Sequence, residues 1–301
     1  MKSPSPIEAF KSFIESNKLE SQKLILMVSG GVDSMVLLDI AAQVIDKSKL
    51  AVFHLNHNAR AEAKADQIFV QNICTKYKIQ FYTETLSTNF QASERNWRNE
   101  RIRLSQLAAA DFAATRILTA HHATDLVETM IHRLTKGAGA GGLSPFDIST
   151  KPFWEISKSE LVDFANENGI EWQEDCTNLN TKFERNLIRA EVLPALRSIT
   201  PNLEAVFVRE AKTFAELQNF LEMQLQTQLS EAFKKHSLDL SKFRETHPAL
   251  QSEFLRTIAL KTPSQSEIED CLKWLLGNPE GNSKKSIGGT EVKLKENQLR
   301  W

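Results

Sequence analysis

The sequence predicts an α/β fold, a Rossmann-like parallel sheet followed by a smaller, mainly helical domain with a short β tail. Three observations carry that expectation. Short β-rich runs alternate with helical patterns from Lys23 onward, a Gly-rich turn separates the first run from its helix, and 301 residues exceed what a single hydrophobic core usually supports. The first domain is expected over residues 1–200 and the second over 201–301.

Taken in order, the β-rich run Leu24–Val28 leads into a helical pattern over Ser34–Ile45, Ala51–Leu55 into Ala63–Tyr77, and Ile79–Glu84 into Ser93–Ala110. A further run, Arg116–Thr119, precedes a helical stretch from Asp125 to Leu134. Successive strand and helix patterns of this kind read as βα units around a parallel sheet. Lys136–Pro145 is a Gly-rich loop, Ser157–Gly169 is helical in pattern, Gln173–Asn180 is polar, and Arg185–Leu196 is helical again. From Asn202 to about Lys235 the period is that of a long helix, with further helices over His247–Leu260 and Ser264–Leu276. After Gly288-Gly289, the alternation of Val292, Leu294 and Leu299 marks a short β element within Ser286–Trp301.

Composition excludes several classes. A chain that is 41% hydrophobic and 25% charged, with a formal net charge of −1, is neither disordered nor membrane-embedded by composition. Residues 1–23 carry Glu8, Glu15 and Glu20 and lack the apolar core of a secretory signal, and no span approaches transmembrane length. Cys74, Cys176 and Cys271 lie far apart and form no CxxC pair, which points away from a disulfide framework or a zinc site and towards a reducing cytoplasm. Near-neutral charge does not exclude nucleic acid, because local clusters of Lys and Arg decide such binding.

The sharpest local signal is Ser29-Gly30-Gly31-Val32-Asp33-Ser34, entered from a strand pattern and left through a helical one. Such a turn offers free backbone N–H groups and the positive end of a helix to an anion. The glycines allow close approach, and the Ser29 and Ser34 hydroxyls can donate to phosphate oxygens. Asp33 would repel phosphate unless a hard cation such as Mg²⁺ were shared between them, so Mg·ATP is the expected ligand. A plain turn with a capping residue is the alternative reading of the same six residues.

Two other segments follow predicted strands, at the edge where open α/β sheets bind ligands. The first, His54-Leu55-Asn56-His57-Asn58-Ala59-Arg60, offers groups for phosphate or a base. The second, His121-His122-Ala123-Thr124-Asp125-Leu126-Val127-Glu128-Thr129, puts Asp125 and Glu128 on one helix face, able to hold a cation or orient an amine; an acidic first turn complementing the helix dipole is the plainer reading. The adjacent histidines do not match structural zinc spacings. The stretch RLTKGAGAGG from Arg133 suits either a phosphate-closing loop or a linker, and Arg98, Arg101, Lys182, Arg185, Arg189 and Arg197 form basic faces suited to solvent or to RNA.

In one chain and one order, these segments resemble the tRNA(Ile)-lysidine synthase family of PP-loop ATP pyrophosphatases. The ordered set comprises SGGVDS, HLNHNAR, Glu94-x-x-x-Arg98-x-x-Arg101, HHATDLVET with RLTKGAGAGGL, Lys151-Pro152-Phe153, Glu174-Asp175-Cys176-Thr177-Asn178, and Phe183-Glu184-Arg185-Asn186-Leu187-Ile188-Arg189. The resemblance implies adenylation of the wobble cytidine of tRNA(Ile) bearing a CAU anticodon, then attack by free lysine, with release of pyrophosphate and AMP. It further implies Ser29, Gly30, Gly31, Val32, Asp33, Ser34, His54, Asn56 and His57 around ATP, with Asp33 reaching Mg²⁺. Asp125 and Glu128 would stand with Asp33 at the reacting centre, and Arg98, Arg101, Arg185, Asn186 and Arg189 would meet phosphate or RNA. Thr124 and Leu126 depart from the family's usual aspartate and glutamine. The C-terminal third is expected to bind tRNA, the oligomeric state is open with a homodimer among the options, and no membrane partner is expected. The alternatives are a PP-loop tRNA thiolase, disfavoured because no two cysteines are close in sequence, and a non-catalytic tRNA-binding relative.

Overall fold

A computed structural model describes residues 4–56, 58, 63–86, 94–145, 147–174, 184–277 and 282–301. The chain divides into two compact units, one of residues 1–132 with 146–209 and one of 133–145 with 210–301.

In the first unit, strands β1 (Leu24–Met27), β2 (Leu50–Asn56), β3 (Gln80–Thr85) and β4 (Arg116–Leu118) form a parallel sheet in the order β3-β2-β1-β4. Leu24 is in register with Leu50 on one side and Arg116 on the other. β1 and β2 are buried nearly throughout, as expected of central strands covered on both faces. They are flanked by α2 (Val32–Val44), α3 (Ala63–Tyr77) and α4 (Glu94–Phe112). Because β2 lies on one side of β1 and β4 on the other, the order reverses at β1. That reversal opens a crevice at the carboxyl ends of β1 and β4, where open α/β sheets take ligands.

An N-terminal helix that the sequence reading did not anticipate, α1 (Pro6–Ser16), is set by a capping box: Ser5 accepts from the Glu8 N–H while the Glu8 carboxylate accepts from Ser5. Its Phe10 and Ile14 are buried in the core with residues of α2 and of α7 (Lys158–Glu167), whose own capping box is Ser157 and Glu160. Helix α5 (Ala123–Thr135) follows β4. Lys136–Pro145, expected as loop, contains the short helix α6 (Ala140–Leu143).

The stretch expected as one helix over Arg185–Leu196 is helical but not uniform. It runs as α8 (Glu184–Leu187), a π-helical turn (Ile188–Val192) and α9 (Leu193–Ile199). Pro194 has no N–H to give to the carbonyl four residues back, and the wider turn before it absorbs the interruption.

Helix α10 (Leu203–Lys235) continues from the first unit into the second, which adds β5 (Ser237–Asp239), α11 (Leu240–Glu245), α12 (Pro248–Ile258), α13 (Gln265–Leu276), β6 (Ser283–Ile287), β7 (Thr290–Lys295) and β8 (Gln298–Arg300). The four strands make an antiparallel sheet in the order β5-β8-β7-β6. Its inner face, with Leu238, Ile287, Val292, Leu294 and Leu299, is buried with Phe254, Leu255, Ile268, Cys271 and Leu275. Among the described residues, no helix is long and apolar enough to cross a membrane.

Candidate active site

The turn between β1 and α2 is built around the Ser34 hydroxyl. It accepts from the N–H groups of Ser29 and Gly30, both at 3.2 Å, and donates to the Gly31 carbonyl at 2.9 Å. Gly30 sits at φ +100°, where a side chain would be strained, and its carbonyl accepts from the Gln173 N–H at 2.9 Å. Gly31 caps α2, so the next N–H groups, of Val32 and Asp33, lack intrahelical acceptors and face an incoming anion. Ser34 thus shapes the loop from within.

Asp33 stands in the first turn of α2. Its Oδ2 lies 3.6 Å from Nε2 of His122 and 3.5 Å from Nζ of Lys158, while its Oδ1 is buried without a hydrogen-bond partner. Burial opposes ionisation of this carboxyl, but the His122 hydrogen bond and charge, and then Lys158, outweigh it and hold the pKa below the usual aspartate value. Nε2 of His122 also lies 3.5 Å from Oδ2 of Asp125. Burial acts against a charged His122, yet Asp125 and then Asp33 raise its pKa above the ordinary histidine value. One imidazole therefore bridges two carboxylates contributed by α2 and α5.

Asp125 combines a local structural role with a place in the cleft wall. It closes the first turn of α5, accepting from the His122 N–H at 3.0 Å, and it lines the cleft. Glu128, one turn on, is buried at 3% exposure and is held bidentately by Arg189, with Nε to Oε1 at 2.7 Å and Nη2 to Oε2 at 2.9 Å. The departure positions are accounted for structurally. Thr124 donates to Glu204 and accepts from the Lys158 N–H, and Leu126 is fully buried.

The cleft is lined by Met27, Val28, Ser29, Asp33 and Ser34 from one side, by Thr119, Ala120, His121 and Asp125 from the other, and by Phe53, Leu55 and Arg101. Arg101 stands one helical turn from Arg98. With Lys151 these cations surround His121, whose pKa is pushed down to about 4, by burial first and then by Lys151, Arg101 and Arg98 against the opposing pull of Asp125. His121 is thus neutral near pH 7, its Nδ1 2.8 Å from the Thr119 hydroxyl.

Not every expected residue reaches the cleft. Phe53 and Leu55 line it, and alternation along β2 turns His54 and Asn56 the other way. His54 is buried with Nδ1 2.9 Å from the Val28 carbonyl, and Asn56 donates to Gln67 on α3. His57 lies outside the described residues. Arg185 is exposed and Asn186 half-buried on α8, and neither lines the cleft. Sequence reading missed Lys158, 125 residues after Asp33, and the bridging role of His122. A basic residue straight after the Ser157 cap, at the start of α7, was the available signal for Lys158.

Among the described residues, no three His, Cys, Asp or Glu side chains gather as a metal cage. The donor set suits a hard cation that takes one carboxylate oxygen, Asp33 Oδ1, and completes its shell with phosphate and water.

A family model described as the PP-loop domain matches residues 4–196. A tRNA(Ile)-lysidine synthase from Petrotoga mobilis is 31% identical over 306 residues, covering 95% of this chain and 95% of its own. This chain belongs to the tRNA(Ile)-lysidine synthase family. The lysidine synthase of Thermotoga maritima is 31% identical over 219 residues, 69% of this chain and 53% of its own, so the chain spans about half the length of that longer relative. Among solved structures, the U34-tRNA thiolase NcsA from Methanococcus maripaludis superposes with a TM-score of 0.55 at 15% identity, over 68% of this chain and 80% of its own. That likeness is one of fold.

Proposed function

We propose that this lysidine synthase family chain ligates lysine to C2 of the wobble cytidine of tRNA(Ile) with a CAU anticodon, using ATP. Family membership supports the substrate class. The observation that carries the chemistry is His122 bridging Asp33 and Asp125 beside the anion-binding turn, with the Glu128–Arg189 pair one turn further along α5. The cytidine O2 attacks the α-phosphorus of ATP, the bond to the β-phosphate oxygen breaks, and pyrophosphate leaves. The lysine amine then attacks C2, loses a proton, and displaces AMP, which takes the former O2 with it.

The turn's free N–H groups orient the phosphates, and Arg101 with Arg98 adds positive charge at the cleft wall. Mg²⁺, when bound, neutralises phosphate charge, and Asp33 Oδ1 is the atom that would hold it. Asp125 keeps His122 facing Asp33, and Glu128 holds the lysine ammonium or accepts its proton. His54 and Asn56 fix the strand ends behind the cleft. Cys176 lies outside the described residues, and the two described cysteines do not suit sulfur chemistry. Cys74 and Cys271 are buried, and burial pushes their thiols up to about 12 and about 11.

The test incubates the protein with ATP, Mg²⁺, labelled lysine and unmodified tRNA(Ile) with CAU, using an elongator methionine tRNA with the same anticodon as control. Lysine-dependent labelling of the isoleucine tRNA alone is the expected result. Labelling of neither tRNA would overturn the proposal.

A further inference from the structure

Behind the cleft wall, one buried hydroxyl ties three helices of the first unit together. Thr124 lies in the first turn of α5, and its Oγ1 accepts from the Lys158 N–H at 3.3 Å and donates to Oε1 of Glu204 at 3.2 Å. Lys158 is the first residue of α7, where an N–H has no acceptor within its own helix. The neighbouring Ala123 N–H donates to the Ile156 carbonyl at 2.7 Å, so two hydrogen bonds join the start of α5 to the start of α7. Glu204 stands in the first turn of α10, and its carboxylate also accepts from Arg197 of α9. Burial opposes ionisation of Glu204, but Arg197, the residue's own N–H and the Thr124 hydroxyl outweigh it and keep the pKa below the usual glutamate value.

The donors and acceptors of this corner fit in one arrangement. A hydroxyl has one proton and two lone pairs, and an ionised carboxylate only accepts. The Thr124 proton therefore goes to Glu204, and a lone pair is left facing the Lys158 N–H. That bond fixes the backbone of the residue whose Nζ stands 3.5 Å from Oδ2 of Asp33. With Oδ2 taken by Lys158 and His122, it is Oδ1 of Asp33 that is left without a partner.

We infer that Glu204 and Thr124 are positioning residues of the nucleotide site: the carboxylate orients the hydroxyl, the hydroxyl anchors the start of α7, and α7 delivers the Lys158 ammonium to Asp33. The inference rests on the ATP step of the function proposed above and adds two residues to it. Neither residue touches the nucleotide, and both act through Lys158.

The test measures the affinity of the full chain for Mg·ATP by isothermal titration calorimetry without tRNA, with urea midpoints recorded alongside. T124V removes the hydroxyl at nearly constant shape and leaves the Lys158 N–H without its acceptor; affinity is expected to fall about tenfold. T124S keeps the hydroxyl and should stay within about twofold of the unaltered protein. T124D sets a second carboxylate against Glu204, so it should bind at least as weakly as T124V. T124D/E204Q gives the new carboxylate an amide donor in place of a like charge and should recover to within about threefold. Because the effect passes through Lys158, T124V in a K158Q background should cost no more than about twofold further. A general loss of packing would weaken both backgrounds alike and would not be rescued by E204Q. Unchanged affinity in T124V, full additivity of T124V with K158Q, or failure of E204Q to rescue T124D would each overturn the inference. If the unaltered protein binds Mg·ATP through this relay but transfers no lysine, the proposed function fails and the inference stands. If it binds no Mg·ATP, both fail.

Discussion

At the scale of single residues, Asp33 concentrates the site's electrostatics. It is ionised against burial because a histidine and a lysine face one of its oxygens, and the other oxygen has no partner. Asp33→Asn keeps the shape and removes the charge; pyrophosphate release is expected to fall by at least about 100-fold, with tRNA affinity within twofold of the unaltered protein. Pyrophosphate release and anisotropy measured together check this, and near-normal release would remove Asp33 from the chemistry. Lys158→Gln takes away the cation opposite Asp33, and kcat/KM for ATP is expected to drop about tenfold in steady-state assays. The first of these residues was legible in the sequence because its motif is contiguous. Lys158 and His122 were not, because their roles exist only once α2, α5 and α7 are brought together. His54 and Asn56 were read as cleft residues from their place at a strand end, whereas the face they occupy depends on the two-residue alternation along β2.

Among the elements, β1, its turn and α2 were legible because strand pattern, glycines and helical period change within a few residues. The four parallel strands were also readable, yet their order was not, since it is set by which edges pair and not by local pattern. Helix α1 escaped notice in a polar segment, although Ser5 and Glu8 are spaced as a capping box and Phe10 and Ile14 share a face. Phe10 is fully buried, 6.5 Å from the ring of Phe153. Phe10→Ala is therefore expected to destabilise the protein by about 3 to 5 kcal/mol, measured by urea unfolding. A loss below about 1 kcal/mol would show that α1 is peripheral. The π-helical turn is a further feature of helix scale: it joins α8 to α9 and carries Arg189 to Glu128.

For the whole molecule, stability should depend on pH through its buried histidines. His121 and His54 both titrate below their unfolded value near 6.5, His121 at about 4, with burial as the leading cause in each. Between pH 6.5 and 4 the unfolded chain binds protons that the folded chain refuses, so stability falls as pH falls through that window. The His121 contribution is on the order of 3 kcal/mol at its limit. His122, shifted the other way, adds stability that is complete below 6.5 and fades at higher pH, and Asp33 loses its contribution only below the usual aspartate range. Urea midpoints at pH 7 and pH 5, compared with those of His121→Asn, check this; an unaltered pH dependence in the variant would rule His121 out as its source. The Arg189–Glu128 clasp has a consequence for selectivity. The guanidinium is tethered beside its carboxylate and competes at high effective concentration with any free ammonium. On the role proposed for Glu128, a bare alkylamine, which offers nothing but charge, is expected to be outcompeted by Arg189, whereas an amino acid brings an additional carboxylate and a stem of fixed length to make good the difference.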